Sequence, residues 1–67
     1  MGNSNEEKTL NRYSVSLVYR NDNNIMLRSL ITKANSNEEA LGRAIVHFEE
    51  ETKNYNLMMK CVIHINM

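Results

Sequence analysis

From Tyr13 to Tyr19 large residues recur at every second position. Tyr13, Val15, Leu17 and Tyr19 are separated by Ser14, Ser16 and Val18. A period of two in β-branched and aromatic residues dictates a strand with one buried face. A lone strand, or even a lone hairpin, is not stable in water. The remaining residues must therefore supply neighbouring strands and a cover for the tyrosine face.

The first strand reads Arg12 to Arg20. Asn21-Asp22-Asn23-Asn24 follows, and Asn and Asp tolerate the left-handed backbone of a tight turn. The second strand reads Ile25 to Lys33, and its faces are nearly balanced. Ile25, Leu27, Ser29 and Ile31 form one set; Met26, Arg28, Leu30 and Thr32 form the other. The first set is the more apolar and avoids burying Arg28, so it is assigned inward. A three-residue loop, Asp22 to Asn24, then places Tyr19 opposite Leu27 and Leu17 opposite Ser29.

A helix is expected from Asn37 to Thr52. Ser36 is its N-cap and Glu39 stands three residues on, the pattern of a capping box. Ala40, Leu41, Ala44, Ile45 and Phe48 form one apolar stripe, extended by Thr52. The third strand reads Leu57 to Ile65. Its odd residues Leu57, Met59, Cys61, Ile63 and Ile65 are all apolar, and Met58, Lys60, Val62 and His64 lie on the other side.

The order is β-β-α-β, a small α+β domain of residues 10–67. Residues 1–9 are read as a disordered tail or an expression remnant. The fold expected is a three-stranded mixed sheet with one helix on one face and strand one in the centre, the split arrangement of half a ferredoxin-like fold. The expected core is Tyr13, Val15, Leu17, Leu27, Ile31, Leu41, Ala44, Ile45, Phe48, Met59, Cys61 and Ile63.

Catalytic chemistry finds little support. Cys61, the single cysteine, falls on the expected core face, where a thiol is inert. His64 lies three residues away and so faces the opposite side of the strand. His47, Glu50 and Glu51 share one helix flank as a weak metal-binding alternative to a solvated turn. Gly2 and Gly42, the two glycines, form no phosphate-binding loop. The expectation is a non-enzyme without metal or cofactor. No apolar run reaches the roughly 20 residues of a membrane span, and residues 1–6 do not resemble an export signal. A cytoplasmic protein with no membrane partner is expected.

Two surfaces invite partners. In the register above, the open sheet face carries Arg12, Val18, Arg20, Arg28, Leu30, Met58, Lys60, Val62 and His64. Its apolar members point to self-association, through this face or an edge strand, into a homodimer. Its basic members support an alternative, less favoured nucleic-acid interface, but Tyr13 and Tyr19 face the other way and leave no stacking platform. On the outer helix face, Gly42 and Val46 form a bare notch ringed by Glu38, Glu49 and Glu50, a candidate site for another protein. The function expected is a small non-catalytic protein-binding module, of the kind used by phages and mobile elements as accessory or inhibitor proteins.

Overall fold

The computed structural model describes residues 11–65. The expected tail at 1–9 lies outside them. Strand β1 spans Asn11–Asn21 and β2 Asn24–Ala34. Helix α1 spans Asn37–His47, the short α2 Glu49–Thr52, and β3 Asn56–Ile65. The strands lie in the order β2-β1-β3, so the alternating strand is central. Both of its ladders are antiparallel. The sheet is therefore antiparallel rather than mixed, because the two strands that run alike, β2 and β3, are kept apart by β1.

One side of β1 is sealed. Val15 and Leu17 have no exposed surface, and Tyr13 and Tyr19 are 5% and 4% exposed. Ala34, Ala40, Ala44, Phe48 and Thr52 complete the buried set. Met26, Leu30, Leu41, Tyr55 and Val62 pack at its margin. The helix meets the sheet through alanines, so its backbone can approach the large residues of β1 closely.

Capping explains where the helix starts. Glu39 N donates to Ser36 Oγ at 3.1 Å, while Glu39 Oε1 accepts from Asn35 N at 2.6 Å. The carboxylate thus reaches one residue further back than in the usual capping box. The helix expected as continuous to Thr52 breaks at Phe48, whose backbone stands at φ −99°, ψ 12°. Thr52 secures the turn that follows. Its Oγ1 and its N–H both donate to Phe48 O, at 2.8 and 3.0 Å.

The hairpin decides the faces of β2. Its turn holds two residues, Asp22 and Asn23, because Asn21 pairs with Asn24. Asp22 adopts φ 55°, the left-handed conformation that Asp tolerates better than most residues. Tyr19 therefore pairs with Met26 and Leu17 with Arg28. A one-residue slip moves every side chain of a strand to the other face. Met26, Arg28, Leu30 and Thr32 face the helix side. Ile25, Leu27, Ser29 and Ile31 face away, which corrects the sequence-based assignment.

The faces of β3 are reversed as well. Tyr13 pairs with His64, Val15 with Val62 and Leu17 with Lys60. Paired residues share a face, so His64, Val62 and Lys60 lie on the helix side, and Met59, Cys61 and Ile63 lie on the open side. A register shift between Val18 and Tyr19 leaves Met58 as a bulge and returns Leu57 to the helix side, opposite Tyr19.

Candidate functional site: the open sheet face

The uncovered side of the sheet carries five large apolar side chains. Ile25, Leu27 and Ile31 on β2 are 69%, 67% and 66% exposed; Met59 and Ile63 on β3 are 67% and 57% exposed. The core expected from the sequence placed Leu27, Ile31, Met59, Cys61 and Ile63 inside. All five are exposed, and Ile45 is 37% exposed at the helix flank. Single apolar residues are ordinary on a surface; here five large ones share one side of one sheet.

The ladders arrange this face in rows across the strands. Ile31, Ser14 and Ile63 form one row, and Leu27, Val18 and Met59 another. The row between them is Ser29, Ser16 and Cys61. Three small residues thus make a furrow that crosses the sheet, with the Leu27, Val18 and Met59 ridge on one side and, on the other, Ile31 and Ile63 flanking Ser14. Rows of one face repeat every second residue, so these two rows stand about 13 Å apart. Arg12 pairs with Lys33 beyond the first ridge, and Arg20 pairs with Ile25 beyond the second. Arg20 Nε donates to Asp22 O at 2.9 Å, which holds its guanidinium toward the turn.

Of the residues proposed for this face, Arg12, Val18 and Arg20 lie there. Arg28, Leu30, Lys60, Val62 and His64 lie on the helix side, and Met58 sits in the bulge. Arg28 Nε donates to Glu51 Oε1 at 2.7 Å, and its Nη1 donates to Leu27 O at 2.7 Å. His64 stacks on Tyr13 with ring centroids 5.0 Å apart. The basic set proposed for nucleic acid is thereby divided between two faces. Its open-face members, Arg12 and Arg20, have Lys33 beside them and no aromatic ring.

The residues of the outer helix face are open to solvent, but Glu38, Glu49 and Glu50 do not border the depression at Gly42. Val46 is 67% exposed, Gly42 is open to solvent, and Glu38, Glu49 and Glu50 are exposed. A β-carbon at Gly42 would meet nothing within 4 Å. The shallow depression there is bordered by Glu39, Arg43, Val46 and His47. Glu39 and Arg43 lie 3.9 Å apart, so its border carries both signs. Among the described residues no three His, Cys, Asp or Glu side chains converge as metal ligands; His47, Glu50 and Glu51 are not brought together. No helix among them is long and apolar enough to cross a membrane.

Sequence reasoning missed Ile25, Leu27, Ile31, Met59 and Ile63 as surface residues. The signal was present in the turn. Asp22-Asn23 read as a two-residue loop pairs Tyr19 with Met26 and exposes Leu27.

The fold and this face define a small α+β domain with an uncovered apolar sheet. No family model matches the chain, and no curated protein or solved structure matches it.

Proposed function

We propose that this chain is a non-catalytic protein-binding module that works through its open sheet face. The observation that carries the reading is the row of Ile25, Leu27 and Ile31 facing Met59 and Ile63 across the sheet, each more than half exposed. Fully burying such a side chain stabilises by about 1.5–3 kcal/mol. Covering five of them would supply a contact with most of its drive from the hydrophobic effect. The surrounding arginines and lysine would lay their aliphatic stems along the apolar patch and keep their charges wet.

The β-β-α-β order with β1 central is compatible with half of a ferredoxin-like fold. The open apolar face is compatible with a cytoplasmic accessory or inhibitor protein of a phage or mobile element, one that acts by occupying a partner's surface.

The test is site-specific photo-cross-linking in cells, with the reactive residue at Leu27 on the open face or at Glu50 on the outer helix. Adducts at Leu27 that protease destroys and nuclease does not are expected, with few at Glu50. Nuclease-sensitive adducts would replace this reading with the nucleic-acid one. Adducts at Glu50 alone would move the contact to the Gly42 and Val46 surface.

A further inference from the structure

We infer that the occupant of the open face is a second copy of this chain, stacked face to face about a twofold axis perpendicular to the strands and passing over Leu17. The inference rests on the reading of the open face as a protein-contact surface and specifies its partner.

Shape selects an axis displaced by one residue from the furrow, over Leu17 or Val15, and charge selects Leu17. Two sheets pack about 10 Å apart with their inner side chains interdigitated. An axis over Leu17 brings the Leu27, Val18 and Met59 ridge of each copy onto the Ser29, Ser16 and Cys61 furrow of the other. Ile31 of each copy then lies over Ile25 of the other. The Leu27, Val18 and Met59 row meets small residues, Ile63 lies over Asn56, and each copy presents the same contact, as a closed dimer requires. An axis over Ser16 would instead set ridge on ridge and furrow on furrow. An axis parallel to the strands and over β1 leaves every row facing its own counterpart, so ridge meets ridge. Aligned sheets cross at about 30°, which displaces the outer strands by roughly 2–3 Å, less than one residue.

Charge selects the same arrangement. Among the described residues the open face holds Arg12, Lys33 and Arg20 and no acidic residue. With the axis over Ser16, Arg12 of one copy confronts Arg20 of the other. With the axis parallel to the strands, each arginine confronts itself. The offset axis moves Arg12 and Lys33 beyond the facing strands, onto the turn at Asp22-Asn23 of the second copy. There they meet the one acidic residue of the hairpin. The chain has a formal net charge of zero, so the two copies carry no overall repulsion.

Size sets the strength. Three strands of nine facing residues cover about 14 by 30 Å, roughly 400 Å² per copy in projection. The pair falls at or below the lower end of specific interfaces, which bury about 1,200–2,000 Å² in total. Association should therefore be in the micromolar range.

The experiment follows mass by sedimentation and the rate of Cys61 alkylation by a maleimide, between about 1 and 300 µM protein. The wild type should move from 7.8 kDa to twice that mass. Alkylation should slow at least tenfold over the same range, because Cys61 lies in the covered furrow. Ser16→Phe fills the furrow without touching the helix side. It should stay monomeric throughout, keep its far-ultraviolet circular dichroism and react at the unprotected rate. A wild type that remains monomeric at 300 µM with constant alkylation overturns the second copy as occupant. A Ser16→Phe variant that dimerises as well as the wild type overturns the ridge-in-furrow arrangement. Leu27 adducts to a different protein, together with a monomeric wild type, would leave the protein-binding reading standing and this one overturned.

Discussion

The pair formed by Arg28 and Glu51 gives a direct energetic test of which face of β2 meets the helix. Only a strand with Arg28 on the helix side brings its guanidinium to the Glu51 carboxylate, 2.7 Å away. The side chains are 37% and 54% exposed, so solvent screens most of the Coulomb attraction. Exposed pairs couple by about 0.2–1 kcal/mol. This one should reach the upper half, about 0.5–1 kcal/mol, because the bond from Nη1 to Leu27 O already restrains the arginine and less side-chain freedom is lost. The assay is a double-mutant cycle of Arg28→Gln and Glu51→Gln, read by urea unfolding at one fixed protein concentration so that association terms cancel. At about 1 M salt the Debye length is near 3 Å, and the coupling should fall by more than half. Leu30→Ala and Leu27→Ala complete the test in dilute protein. Leu30 packs at the core margin and should lose about 2 kcal/mol; Leu27, 67% exposed, should lose less than about 1 kcal/mol. Zero coupling at low salt together with a larger loss at Leu27 would refute the placement of β2, and with it the open apolar face.

Gly42→Ala should stabilise the protein by about 0.5–1 kcal/mol, since its new methyl group meets open space; thermal unfolding followed by circular dichroism reads the rise. A loss of stability there would mean that the helix packs differently. Ser36→Ala removes the acceptor of the Glu39 N–H and should cost about 1 kcal/mol, measured by urea unfolding. Asp22→Val places a β-branched residue at φ 55° and should cost at least about 1 kcal/mol, whereas Asp22→Gly should be neutral or better in the same measurement.

Much of the architecture was legible because local rules govern it. The alternation from Tyr13 to Tyr19 marks a strand whose buried face is unambiguous, and Ser36 with Glu39 marks a helix start. The faces of β2 and β3 were not legible by apolar count, for a physical reason. One helix about 10 Å across covers a sheet about 14 Å wide, so the helix-side residues of the outer strands are only half covered. Arg28, Lys60 and His64 suit such places, with stems or rings against the core and polar ends in water. The wholly apolar set Met59, Cys61 and Ile63 was then assigned inward by a rule that assumes the chain buries its own best hydrophobic face. The bulge at Met58 adds a parity change that no residue in β3 announces.

The order β2-β1-β3 also separates events in time. The hairpin joins residues close in the chain, from Asn21 with Asn24 outward to Asn11 with Ala34. The second ladder must bring Leu57 to Tyr19 and Ile65 to Arg12, a closure over most of the domain, so it carries the larger loop entropy. Contacts of that range slow folding. A hairpin complete before β3 docks has Leu27 and Ile31 on one side, Tyr13, Leu17 and Tyr19 on the other, and an unpaired edge along β1. Such a species is sticky on three sides, and the rate at which β3 arrives sets how long a newly made chain remains in that state.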